Sequence, residues 1–325
     1  MMSDVGQVAN LRRVANPPAD LFSNPNSAVG NRAQDGIHIS CIAMLLAIAA
    51  AAILLMPAVA ADYTKDIADF RAARERSISG PDGWSTLVGL AWLKEGLNRV
   101  GSDPDAEVAL PASVPARVGT IILKGTHADF RPAPGIKIPA QELKEDSTIL
   151  NIGTVKFFLI QRANKFAIRI KDSDAPARKE FTHLSWYPID PSWRIEAKFT
   201  PWDQPRTLKF DTVIDGVTEE DQSPGYVTFS KDGHEYRLDT VVDDNELFLI
   251  FRDQTSGKTT YPASRFLYAA LPKNLKAPST VVLDFNKAIN PPCVFSPYAT
   301  CPLPPPQNRL TLPITAGELM YNNHR

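Results

Sequence analysis

The sequence predicts a mostly β protein built as two antiparallel sandwich- or barrel-like domains, with one N-terminal helix and a proline-rich C-terminal strap. Three observations carry this expectation. The chain has 28 prolines against 17 glycines, which breaks long helices and favours short strands joined by turns. From Trp84 onward, apolar residues recur in short runs enriched in β-branched and aromatic side chains. Turns containing Gly, Asp or Asn separate those runs at the close spacing of a sandwich or barrel. A length of 325 residues accommodates about two domains.

Residues 1–37 are rich in Asn, Pro, Ala and Ser without apolar periodicity. They are expected to be disordered, or to be an extension upstream of the true start. Residues 38–61 are almost wholly apolar and end in Ala58-Val59-Ala60, a small-x-small pattern. This segment is expected to be a signal peptide cleaved near Ala61. A membrane anchor is the alternative, since about 20 apolar residues cross a bilayer. Either outcome places the globular part outside the cytoplasm, in the periplasm or the extracellular space.

Tyr63, Ile67, Phe70 and Ala73 recur near helical spacing, so 62–79 is expected to be a helix ended by Gly80-Pro81-Asp82-Gly83. Residues 80–175 are expected to be an N-terminal β-sandwich domain. Within it, TVKFFLIQ and KFAIRIKD form a hairpin around Arg162-Ala163-Asn164. The polar run Lys171 to Pro176 marks the boundary. Residues 176–325 are expected to be a C-terminal β domain. Its strands are RIEAKF, TLKF, YVTFS, HEYRLDTVV, ELFLIF, RFLYAAL and TVVLDF, and Asp232-Gly233 is a primed hairpin turn. Asn290 to Pro313 carries eight prolines and is expected to wrap the domain as an extended strap.

Charge and motifs narrow the function classes. Lys+Arg number 35 and Asp+Glu 36, so no basic excess exists to neutralise a nucleic-acid backbone. The chain lacks G-x-S-x-G, H-E-x-x-H, a P-loop and a dinucleotide-binding glycine motif, and no cofactor is predicted. His127, His183, His234 and His324 are not spaced as a metal pair, so no metal is predicted either. His183, beside an aromatic cluster, is the one histidine placed as a candidate acid/base. Trp186, Tyr187, Trp193 and Trp202 are expected to fill a seam between β domains, with a glycan-stacking surface as the alternative.

The candidate ligand site is Arg252, Tyr261, Arg265, Asp284 and Asn286, charged and polar groups at the ends of strongly apolar strands. They are expected to converge in one concavity that binds a small polar or anionic ligand, because an Arg fork suits a carboxylate or phosphate. Two alternatives stand beside this: a hydrolase using Asp253 or Asp284 as acid/base, and a structural envelope protein in which an Arg–Asp pair locks the strap. Cys293 and Cys301 remain after cleavage and are expected to form a disulfide in an oxidising compartment. Two free thiols or a metal site are the other readings.

The segments GLAWLKEGLNRVGSDPDAEVALP, DAPARKEF…WYPIDPSWRIEAKF and FRDQTSGKTTYPASRFLYAALP…VVLDFNKAINPPCVFSPYATCPLPPPQNRL resemble the DUF1684 family of uncharacterised bacterial and archaeal proteins. The resemblance covers the chain from about Trp84 to Glu318 and implies no particular activity. Within 89–111, GLNRVGSDPDAEVALP is also similar to the opening strands of a forkhead-associated domain. That likeness implies a β-sandwich geometry. The later serine- and histidine-containing turns needed for phosphothreonine binding are lacking.

Overall fold

The structure is a computed structural model that describes residues 62–321. The expected extension over 1–37, the apolar segment over 38–61 and His324 lie outside the described residues. Helix α1 spans 62–79. Nine strands follow: β1 (Leu87–Trp92), β2 (Gly96–Gly101), β3 (Val108–Ala109), β4 (Gly119–Lys124), β5 (His127–Pro132), β6 (Gln141–Glu142), β7 (Ile149–Ile152), β8 (Val155–Arg162) and β9 (Lys165–Asp172). A single helical turn, α2 (Pro176–Lys179), leads to β10 (Arg194–Asp211), β11 (Thr218–Lys231), β12 (His234–Asp243), β13 (Glu246–Phe251), β14 (Arg265–Ala270) and β15 (Ser279–Asp284). The protein is therefore mostly β, as the sequence predicts.

The first nine strands form two sheets, ordered β1-β9-β8-β7 and β3-β2-β4-β5-β6. Their pairing is antiparallel except for the parallel contact of β2 with β3. The sheets face each other across one core that includes Val100, Ile121, Phe130, Phe157, Ile168 and Ile170. Burial alternates along β5, with Ala128 and Phe130 inward and Asp129 and Arg131 outward, which is the two-residue period of a sheet with one wet face. The expected hairpin is the β8–β9 pair, and Ala163 at its turn takes a left-handed φ of 52°.

The other six strands are ordered β14-β13-β12-β11-β10-β15, and the two end strands lie against each other, so the sheet curls toward a closed barrel. Its hairpins follow the turn chemistry. Asp232 and Gly233 have φ of 51° and 78°, and Asp244 and Asn245 have 45° and 65°, the positive pairs a primed turn requires. The segments RIEAKF and TLKF, expected as separate strands, are one long β10 whose pairing with β11 slips between Pro201 and Arg206. Proline cannot donate to a ladder, so the irregularity falls where Pro201 and Pro205 stand.

Side chains fill the barrel. Trp193, Phe199, Phe229, Leu249, Phe251 and Phe285 belong to a single interior cluster. The strap closes it. Asn308 bridges two strands through Nδ2, donating to Asp239 O and Ile250 O at 2.9 Å each, while its Oδ1 accepts from Asp239 N. A second apolar cluster joins α1, the first sandwich strand and the barrel through Ile78, Trp84, Leu87, Phe248, Phe266 and Phe295. Helix α1 itself is tied to the C-terminal half: Arg71 donates to Tyr187 O at 2.9 Å, and Glu75 accepts from Leu184 N at 2.8 Å. The aromatics divide accordingly. Trp193 is inside the barrel, Trp186 packs on Phe70 of α1, and Trp202 stacks under Arg206 on the surface.

Candidate functional site

The residues singled out at the C-terminal strand ends enter separate hydrogen-bond networks. Arg265 opens β14 and is fully buried. It pairs with Asp253, not with Asp284: Nη1 donates to Asp253 Oδ2 at 2.8 Å and to Ile314 O at 3.0 Å, and Nη2 donates to Ala316 O. Asp253 Oδ1 meanwhile accepts from the amide and hydroxyl of Thr255. The pair ties the C-terminal segment against the barrel through Nη1 and Nη2, while Arg265 Nε is buried without a partner among the described residues.

Asp284 ends β15 and accepts from Tyr63 Oη of α1 at 3.0 and 3.1 Å. Asn286 Nδ2 donates to Tyr63 Oη, Asp190 O and Asp284 Oδ1. Burial, together with the neighbouring Asp284 carboxylate, pushes the Tyr63 hydroxyl well above its ordinary pKa. This network docks the helix. A third tie lies beside it: Arg74 meets Glu318 at 3.3 Å and Asn290 O at 2.8 Å, and Asn290 Nδ2 donates to Glu318 Oε1 at 2.8 Å. Arg252 is exposed, and its backbone forms a parallel bridge with Arg309. Tyr261 packs against the same apolar cluster as Cys293. Cys293 and Cys301, expected as a disulfide, stand as two free thiols, with Cys293 N donating to Cys301 Sγ at 3.1 Å. His183 is exposed.

A different region has the form of a site. On the outer face of the five-stranded sheet lies a cleft of about 450 Å3, lined by Arg99, Asp103, Arg117, Thr120 and Arg131 among others. That size falls within the range of small-molecule pockets. Register builds its floor: Arg99 of β2 stands opposite Thr120 of β4, and Thr120 stands opposite Arg131 of β5. Their neighbours Val100, Ile121 and Phe130 point into the core, so period two turns these three polar residues outward together. Two interstrand steps separate Arg99 from Arg131, roughly 10 Å between backbones, with a threonine hydroxyl between them.

Two loops wall the cleft. Ser102 Oγ donates to Val114 O at 2.8 Å, Ser102 N to Pro115 O at 3.1 Å and Asp103 N to Ala116 O at 3.3 Å. These bonds hold Arg117 at the rim. The approach is so close that a Cβ on Gly101 would lie 2.0 Å from Ala116 O, so only glycine fits there. Arg99 is preset by Glu107, with Nε to Oε2 at 3.0 Å and Nη2 to Oε1 at 3.1 Å. Those hydrogen bonds push the Glu107 carboxyl down to about 2. Arg117 and Arg131 are exposed and pair with none of the described carboxylates. The cleft therefore presents two unpaired guanidinium forks, a third held by an acid, a hydroxyl and the Asp103 carboxylate.

Sequence reading missed Arg99, Arg117 and Arg131, because each looks like a solvated surface cation. The usable signal was in NRVGSDPD and DFRP, where an arginine beside an inward apolar residue must face out next to a turn.

The architecture defines a class: a mostly β protein in which a two-sheet sandwich adjoins a side-chain-filled, strap-closed barrel. The family model described as a protein of unknown function, DUF1684, matches residues 179–319. A solved structure that is similar to part of the chain is the solution NMR structure of an uncharacterized protein of Haloarcula marismortui. It is 31% identical, covers 45% of this chain and 81% of that protein, and has a TM-score of 0.39. Over residues 179–319 the chain belongs to the DUF1684 family. No curated protein matches it.

Proposed function

We propose that this is an exported cell-envelope protein that binds a small anionic ligand in the cleft lined by Arg99, Arg117, Thr120 and Arg131. The observation that carries the reading is the pair of unpaired arginines, Arg117 and Arg131, facing a cleft of about 450 Å3. A guanidinium donates two parallel bonds to a carboxylate or phosphate; Arg99 already commits Nε and Nη2 to Glu107, so Arg117 and Arg131 supply the free forks. The C-terminal strand ends are less suited, because Arg265 already binds Asp253 and the Ile314 and Ala316 carbonyls, and Asp284 already binds Tyr63 of α1. Export is supported by the apolar run over 38–61 ending in Ala58-Val59-Ala60.

A thermal-shift panel of phosphorylated, carboxylate and neutral sugar compounds tests the binding reading. An anion at 100 times its Kd should stabilise the fold by about 2.7 kcal/mol, and neutral sugars should not. Stabilisation that persists in Arg131→Ala would move the site elsewhere. N-terminal sequencing of the protein recovered from the producing cells tests export: a start near Ala61 is expected, and an intact N-terminus in the cytoplasmic fraction would overturn it.

A further inference from the structure

We infer that Cys293 and Cys301 are a thiol–disulfide exchange pair, in which Cys293 attacks a low-molecular-weight disulfide and Cys301 resolves the intermediate. The inference is independent of the arginine cleft. Both thiols lie in the strap, which turns through a short 3-10 segment, Pro292–Val294. The turn folds the strap back on itself, so that the Cys293 amide reaches Cys301 Sγ at 3.1 Å. The two positions differ in access. Cys293 is half-buried, whereas Cys301 is completely enclosed.

The surroundings separate their chemistry as well. Burial opposes a thiolate at Cys293, but hydrogen bonds from the Cys301 thiol and the Tyr261 hydroxyl outweigh it, and its pKa lies below the ordinary thiol value. Cys301 is pushed well above that value, first by burial and then by the neighbouring Cys293. Thiolate is the attacking form in exchange, so the less enclosed of the two thiols is also the more nucleophilic one. Arg169 is fully buried, with no described hydrogen-bond partner for Nε or Nη2. Its charge favours the Cys301 thiolate at the moment that thiol must attack.

The exchange balances with one external disulfide, RSSR. The Cys293 thiolate attacks one sulfur, the S–S bond breaks, and RS⁻ leaves with the electron pair and takes up the proton that Cys293 lost. Cys301 then gives up its proton and attacks Cys293 Sγ. The mixed S–S bond breaks, and the second RS⁻ leaves and is protonated. The protein is oxidised by two electrons, and RSSR is reduced to two RSH.

Oxidised glutathione is the probe, with intact-mass and peptide-mapping readouts on the folded protein. The wild type should form the Cys293–Cys301 disulfide, with loss of two hydrogens. Cys301→Ser should stop at a glutathione adduct on Cys293, and adding Tyr261→Phe should slow that adduct several-fold. Cys293→Ser should form no adduct while folded. An adduct on Cys301 in Cys293→Ser as fast as on Cys293 in Cys301→Ser would overturn the assignment, as would a wild type that stays a dithiol. Native-state alkylation of the wild type covers the case of misfolded variants. Iodoacetamide should label Cys293 before Cys301, and the reverse order would overturn the inference.

Discussion

Replacing Arg265 with alanine separates a structural lock from a ligand site at the C-terminal strand ends. The side chains of Arg265 and Asp253 are both fully enclosed and meet at 2.8 Å. Removing the guanidinium leaves an uncompensated buried carboxylate, which typically costs about 3 to 5 kcal/mol. The carbonyls of Ile314 and Ala316 also lose their donor, each worth about 1 kcal/mol when buried. At about 2 to 4 °C per kcal/mol for a protein of this size, this combined loss of about 5 to 7 kcal/mol should lower Tm by roughly 10 to 28 °C. The control is Arg252→Ala, exposed and without a side-chain partner among the described residues, which should stay within about 0.5 kcal/mol of wild type. Circular dichroism melts at pH 7, supported by urea titrations, provide the measurement. A shift for Arg265→Ala no larger than that for Arg252→Ala would refute the lock and return Arg265 to consideration as a ligand donor.

Three further outcomes follow from particular residues. Burial raises the Asp221 pKa from 3.8 to about 6. The folded state then holds this proton more tightly than the unfolded chain, so Asp221 costs stability increasingly from pH 3.8 to about 6 and fully above that. Asp221→Asn should therefore raise stability at pH 8 by about 1 to 3 kcal/mol and make no difference below pH 4; equal gains at both pH values would contradict this. Gly101→Ala must push Ala116 and Arg117 away, so it should cost about 1 to 3 kcal/mol and weaken anion binding, both checked by melts with and without ligand. Asn308→Ala removes three hydrogen bonds that join the strap to β12 and β13. It should speed proteolysis within 290–313, with cleavage sites mapped by mass spectrometry.

Much of the fold was legible because short-range chemistry fixed it. Asp232-Gly233 and Asp244-Asn245 tolerate the left-handed backbone a tight hairpin demands, and the alternation in β5 states which face is wet. What remained hidden was pairing across long sequence separations. β1 lies against β9, and α1 follows no nearby strand but docks through Tyr63 onto Asp284. The partner of Arg265 was hidden for the same reason. Asp253 and Asp284 both end apolar strands, and only the curl of the barrel decides that Asp253 faces Arg265 while Asp284 faces the helix. The arginine cleft escaped notice because its three cations come from different segments, and register alone brings Arg99 and Arg131 to either side of Thr120.

The central claim is that the cleft on the outer face of the sandwich receives an anion. Its most direct test is a titration of the 15N-labelled protein with inorganic phosphate at constant ionic strength, comparing wild type with the Arg117→Ala, Arg131→Ala double variant. The amides of Gly101, Arg117, Gly119 and Arg131 should shift saturably in the wild type, and the apparent affinity should fall at least about tenfold in the variant, equivalent to about 1.4 kcal/mol, with little change in Tm. Equal affinities in the two proteins, or saturable shifts confined to the surroundings of Arg252, Arg265 and Asp284, would contradict the account.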